Sequence, residues 1–165
     1  MTTTIDVRSR ACDFDFSIGG WTARNRRLRE PLSGADEWDE FESRVAARPL
    51  PGGLGSEELY CTGFAAGLVG MSFRFFDPET GVWSVYWVDS DRPGALGRPV
   101  FGSFEGGEGV FLGEGTFDGR PILVRHLWTG VDTPRPRWER AFSDDDGETW
   151  ETNWIMELAR VGEGR

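Results

Sequence analysis

Near the N-terminus, Phe14-Asp15-Phe16-Ser17-Ile18-Gly19-Gly20-Trp21 runs straight into an arginine-rich alternating stretch, Thr22 to Glu30. Two adjacent glycines allow a tight bend and a close backbone approach, and a large indole directly after them is suited to plugging the end of a β-barrel. The stretch Thr22 to Arg29 then reads as a first strand, long and polar on one side, which Pro31 to Ala35 breaks. This is a signal of fold, and it names no substrate.

The rest of the chain continues as short alternating runs. A second strand, about Trp38 to Arg48, sets Trp38, Glu40, Glu42, Arg44 and Ala46 against Asp39, Phe41, Ser43, Val45 and Ala47. Pro49 to Gly55 is a rigid-then-flexible loop, read here as the lip of a cavity. Strands at Glu58 to Phe64 and Gly67 to Phe76 follow. The clearest hairpin of the first half joins Phe73-Arg74-Phe75-Phe76 to Val82 through Val88 across the turn Asp77-Pro78-Glu79-Thr80-Gly81. If Phe76 pairs with Trp83, the pleat places Ser72, Arg74, Phe76, Trp83, Val85 and Trp87 on one face, and Met71, Phe73, Phe75, Ser84, Tyr86 and Val88 on the other. Both faces are apolar, so both need cover. One fits the barrel interior; the other calls for an N-terminal segment or a second subunit in a homodimer.

Gly-rich strands at Val100 to Phe104, Gly109 to Gly113 and Gly115 to Phe117, then Ile122 to Thr129, Trp138 to Phe142 and Trp150 to Val161, complete the pattern. About ten strands with turns every ~8 to 12 residues define an all-β chain, here a single antiparallel up-and-down β-barrel. With 165 residues, one domain spanning 1–165 is expected, with residues 1–12 as a flexible tail.

Charge and composition narrow the function classes. A formal net charge of −10 argues against nucleic acid as a partner, because a polyanion is bound through a basic surface. The only basic run, Arg24 to Arg29, is followed by acidic residues. All 18 basic residues are arginine, which reads as the compositional bias of a GC-rich bacterial genome. Cys12 and Cys61 show no metal-ligand spacing and His126 is the only histidine, so no metal is expected. No leader-like segment and no apolar run of ~18 residues is present, which predicts a cytoplasmic protein with free thiols and no membrane partner.

Few motifs carry chemistry. Ser143-Asp144-Asp145-Asp146-Gly147-Glu148-Thr149-Trp150 matches an Asp-box, in which serine and aspartate side chains bond the turn backbone above a packed tryptophan. A single copy without a repeat period does not make a propeller. His126 alternates with Ile122, Val124 and Trp128, and reads either as a packed imidazole or as a base in a cavity. Arg125, Glu139, Arg140, Asn153 and Glu157 read either as a structural ion network or as part of a polar ligand site. Nucleophile-elbow, phosphate-loop, dinucleotide-binding and zinc-protease patterns are all missing.

Three stretches, Phe14 to Trp21, Phe76 to Trp87 and Trp138 to Glu157, together resemble the bacterial DUF1579-like proteins over nearly the whole chain. Those proteins look like members of the calycin group, the lipocalin and fatty-acid-binding type of barrel. In calycins a Gly-x-Trp in the first strand packs under an arginine from the last, so the resemblance pairs Trp21 with Arg160. It implies a cavity and no agreed reaction. Haem-binding barrels of the group carry a longer Gly-x-Trp-x-Gly motif, whereas Thr22 and Ala23 follow Trp21 here; no cofactor is expected.

The leading expectation is a binding module. A small apolar or aromatic molecule would sit among Trp83, Trp87, Trp128, Trp138 and Trp154, with Arg74, Tyr86, Arg125 or His126 fixing its polar end. A second expectation is a cofactor-independent cyclase, isomerase or dehydratase of bacterial secondary metabolism, with Tyr86, His126, Glu139 and Glu157 as candidate proton-transfer groups. A third is an interaction protein that uses its apolar outer face.

Overall fold

A computed structural model describes residues 10–162. Ten strands follow one another in chain order: β1 (Gly19–Leu28), β2 (Trp38–Pro49), β3 (Gly55–Thr62), β4 (Val69–Asp77), β5 (Val82–Asp89), β6 (Val100–Glu105), β7 (Glu108–Phe117), β8 (Arg120–Thr129), β9 (Arg137–Ser143) and β10 (Glu151–Arg160). Every neighbouring pair is antiparallel, and β1 closes against both β2 and β10, so the barrel has no free edge. The architecture fits a calycin-like fold. No helix among the described residues is long and apolar enough to cross a membrane.

Alternation decides what points inward. On β1, Trp21, Ala23 and Asn25 are buried while Thr22, Arg24 and Arg26 are exposed. On β2 the buried set is Ser43, Val45 and Ala47. The expected pairing of Phe76 with Trp83 is present, and the face carrying Arg74 and Trp83 is the interior one, both being buried. The opposite face stays on the outer wall. There Phe75, Phe101, Val110 and Leu112 are exposed, and the described part of the N-terminal segment, Arg10 to Ile18, packs elsewhere.

That segment closes one end of the barrel instead. A 3-10 turn, Asp15–Ser17, carries Phe14 inward, where its ring meets Trp83 and Phe104 edge-on, each at 4.9 Å between centroids. Phe14 is almost fully buried, which is worth about 1.5–3 kcal/mol for a side chain of this size. The Trp21 indole N–H donates to the Ser17 carbonyl at 2.7 Å. Arg160 lies 4.0 Å over the Trp21 ring and donates to the Ile18 carbonyl and, at 3.1 Å, to that of Phe16. Gly19 has φ +114°, and the Arg160 guanidinium occupies the space a Cβ would need. The glycine pair is therefore the start of β1 itself rather than a bend ahead of the strand.

Several local expectations change. The Pro49 to Gly55 loop joins β2 to β3 at the end where Ser56 pairs with Arg74 and Arg74 meets Ser17. It borders the closed end and is not the lip of the cavity. The two short strands expected around Gly113 are one strand, β7, because its pairing with β8 runs unbroken from Gly109 to Phe117. Its inward positions alternate as Gly109, Phe111, Gly113, Gly115 and Phe117; the Phe104 ring fills the space at Gly109, Pro99 and Val100 that at Gly113, and Gly115 borders the cavity. The Asp-box reading holds: Asp145 accepts from the Thr149 hydroxyl at 2.5 Å, the Thr149 N–H at 2.9 Å and the Ser143 hydroxyl at 2.7 Å, and these bonds, the Thr149 hydroxyl's first, lower its pKa to about 2. Both cysteines are free.

The barrel wall has two irregularities. β5 and β6 share three register pairs, ending at Val85 with Val100, and beyond them β5 runs beside the loop 90–99. This is the loosest seam of the wall. In β10 the register shifts between Thr152 and Trp154, leaving Asn153 as an extra, fully buried residue.

Candidate functional site

The loose seam, with Gly115 of β7 across from it, opens onto an interior cavity of about 230 Å³. Its wall is largely aromatic and aliphatic: Trp87, Trp128, Trp138, Trp154, Phe111, Phe142, Val85, Val100, Ile122, Val124 and Met156. The six-membered ring of Trp87 packs against Gly70, where a Cβ would collide with it, so a larger residue there would displace the indole. The mouth side carries Arg92, Gly97, Arg98, Glu114 and Thr116.

Polar side chains enter the wall at a few points, and most already have partners. Arg74, which is 2 % exposed, forms a buried ion pair with Glu58, donates to the Ser17 hydroxyl at 2.9 Å, and lies 4.5 Å over the Phe14 ring. Asn25 is a hub. Its Oδ1 accepts from the Trp154 indole N–H at 3.0 Å and the Tyr60 hydroxyl at 3.2 Å, while its Nδ2 donates to Ser43 at 2.9 Å and Ala23 at 3.2 Å. Every hydrogen-bonding atom of the amide is satisfied, which locks Tyr60 and Trp154 in place. Burial raises the Tyr60 hydroxyl to about 12, so it stays protonated at neutral pH.

One row of inward residues is different. Across β7, β8, β9, β10 and β1 the register aligns Phe111, His126, Arg140, Trp154 and Arg27. Arg140 donates through Nε to the Asn153 Oδ1 at 2.7 Å and stacks on Phe142 at 4.7 Å and on Trp154 at 5.2 Å. Arg27 approaches Trp154 at 4.8 Å. No carboxylate among the described residues forms an ion pair with Arg140, and burial together with nearby Arg27 lowers its pKa to about 9. His126 meets Trp138 edge-on at 4.9 Å and has no hydrogen-bond partner among the described residues. Burial, then the positive charges of Arg140 and Arg74, bring its imidazole down to about 3, so it is neutral.

The expected site residues divide accordingly. Arg74, Trp87, Trp128, Trp138, Trp154 and His126 come together around the cavity. Trp83 lies away from it at the closed end, packed on Phe14 and Phe76 with its indole N–H 3.3 Å from the Arg10 carbonyl. Tyr86 borders the seam, but the pleat turns its ring outward against Phe75, 6.0 Å away. Arg125 projects outward and lies 4.6 Å over Trp150. Glu139 and Glu157 also lie outside, each 2.9 Å from Arg137. The five-residue polar set read from the sequence is thus divided: Arg140 with Asn153 inside, Glu139 and Glu157 with Arg137 outside, and Arg125 apart from both.

Two interior polar residues, Glu58 and Asn25, have no place among the candidates read from the sequence, and Arg140 enters there only within the polar set. The available signal is parity: Asn25 shares it with Trp21, and Arg140 with Trp138 and Phe142. Among the described residues, no group of three or more His, Cys, Asp or Glu side chains could hold a metal ion. Compared with known proteins, the chain matches no family model and no curated sequence.

Proposed function

We propose that the protein binds a small aromatic molecule in the barrel cavity. The observation that carries this reading is the aromatic enclosure itself: four tryptophans, Trp87, Trp128, Trp138 and Trp154, surround about 230 Å³ beside a seam in the wall. An apolar protein cavity of roughly 150 Å³ takes benzene, so the space suits a one- or two-ring aromatic. Locked indoles cost little entropy to order around such a ligand.

A cofactor-independent cyclase, isomerase or dehydratase is a second reading of the same cavity. It is favoured by one feature, the neutral His126 beside the Arg140 cation with no hydrogen-bond partner among the described residues. Arg140 would stabilise a developing enolate, and His126 would donate or accept a proton. Of the other candidates, Glu139 and Glu157 lie on the far side of the wall.

Native mass spectrometry of the protein from its own cells, beside a Val124→Trp variant, tests the binding reading. Val124 lines the cavity, and an added indole fills it. A co-purifying small-molecule mass on the natural protein that is missing from the folded variant supports binding in the cavity. A natural protein that carries no such mass and takes up none of a panel of one- and two-ring aromatics defeats it.

A further inference from the structure

We infer that the cavity selects an aromatic monoanion, with the Arg140 guanidinium as its counter-ion and the neutral His126 imidazole beside it. The inference deepens the cavity-binding reading and rests on it.

The balance of charge along the wall motivates this. The charged side chains at the cavity are Arg74, Arg92, Arg98 and Arg140 against Glu58 and Glu114. Glu58 is committed to Arg74, and Glu114 lies 3.7 Å from Arg98 at the exposed mouth. Among the described residues, Arg92 at the mouth and Arg140 inside are left without an ion pair. A surplus of positive charge therefore lines the cavity of a chain whose net charge is −10. Arg27, on the other side of Trp154, adds to the positive potential at Arg140.

Arg140 also has donors to offer. A guanidinium carries five N–H groups in a planar fork, and here Nε is engaged by Asn153. The terminal nitrogens have no acceptor among the described residues, and the side chain keeps accessible surface along the cavity. Two aromatic faces screen the charge without neutralising it. An uncompensated cation this deep is costly, and a bound anion recovers that cost. The planar fork matches a carboxylate in two parallel hydrogen bonds, while the neighbouring tryptophans take the ring. His126, opposite Arg140 on β8, supplies one more N–H without adding a charge that would need a second anion.

Isothermal titration calorimetry at low salt with 2-naphthoate and 2-naphthamide tests this, because the two differ in charge and scarcely in shape. The natural protein should bind the carboxylate roughly tenfold to hundredfold more tightly than the amide. In Arg140→Met and Arg140→Gln the two affinities should converge to within about threefold, with a cooperative thermal transition showing that each variant is folded. Should Arg140→Met fail to fold, Arg140→Gln and the comparison on the natural protein still decide. Amide binding as tight as carboxylate binding overturns the anion assignment and leaves cavity binding standing. A carboxylate preference that survives in either folded variant overturns the role of Arg140. Failure of both probes to bind overturns this inference, and the cavity-binding reading falls with it where the native mass and the wider aromatic panel fail as well.

Discussion

Arg74, on β4 at the closed end, meets Glu58 and Ser17, whereas Arg140, on β9 across the barrel, meets an amide oxygen and two aromatic rings. Both are arginines on alternating strands, both point inward, and both line the cavity. Their surroundings separate them. Arg74 has its charge neutralised and its fork engaged by groups that also hold the N-terminal turn in place, so it belongs to the architecture. Arg140 is held in position and has no counter-ion among the described residues. An unpaired interior cation beside a neutral imidazole is an arrangement that stability alone does not call for.

The largest effect should come from breaking the paired side. Glu58→Gln strands the Arg74 charge in the interior, and chemical denaturation should show a loss of about 3–5 kcal/mol. A double replacement, Glu58→Leu with Arg74→Met, removes both charges and should be clearly more stable than Glu58→Gln. If the double variant is the less stable of the two, the pair contributes more than charge balance, and the contrast with Arg140 is overdrawn.

On the unpaired side the effect on stability should be smaller. Arg140→Met loses the bond to Asn153, costing about 1 kcal/mol, and relieves an uncompensated cation. The two oppose each other, so the net change in denaturation free energy should lie within about 1 kcal/mol of zero. A loss near that of Glu58→Gln would place Arg140 in the architecture too.

The smallest effect is confined to acid. His126 is held neutral in the fold down to about pH 3, from a usual value of 6.5. Above pH 6.5 it is neutral folded or unfolded and contributes no pH dependence. Between 6.5 and 3 the unfolded chain binds a proton that the folded one does not, so stability falls as pH falls. His126→Phe should leave stability unchanging across pH 7 to 8 and flatten the loss between pH 6 and 4, measured as the difference between the two denaturation curves. Parallel curves over that range would mean that His126 titrates normally and that the Arg140 charge is screened from it.

Much of the fold is legible in the residue order, for a reason visible strand by strand. Side chains alternate with period two, so Phe76 opposite Trp83 predicts a whole interior face once the turn at Asp77 to Gly81 is recognised. The pairing of Trp21 with Arg160 is what the calycin resemblance implies, and the guanidinium does lie over the ring. Strand ends are less legible. β7 runs through Gly113, where glycine reads as a break and is in fact the small residue that lets Pro99 and Val100 approach closely.

The site is less legible than the fold. Tyr86, Arg125, Glu139 and Glu157 have suitable chemistry and lie on strands flanking the cavity, yet each has the outward parity. Assigning parity to β9 and β10 needs their register, and the extra residue Asn153 shifts it by one in β10, a change that the sequence does not announce.

By itself the sequence determined the strand period, most of the turns and the aromatic supply, all of which follow from local geometry and spacing. Only the tertiary structure decided which interior charges cancel. Glu58 and Arg74 lie 16 positions apart and meet because β3 and β4 are neighbours in register. Arg140 has no ion-pair partner among the described residues because its neighbouring strands bring it a histidine and a tryptophan. Charge compensation depends on distance in space, and a linear order of residues does not contain that distance until the barrel closes.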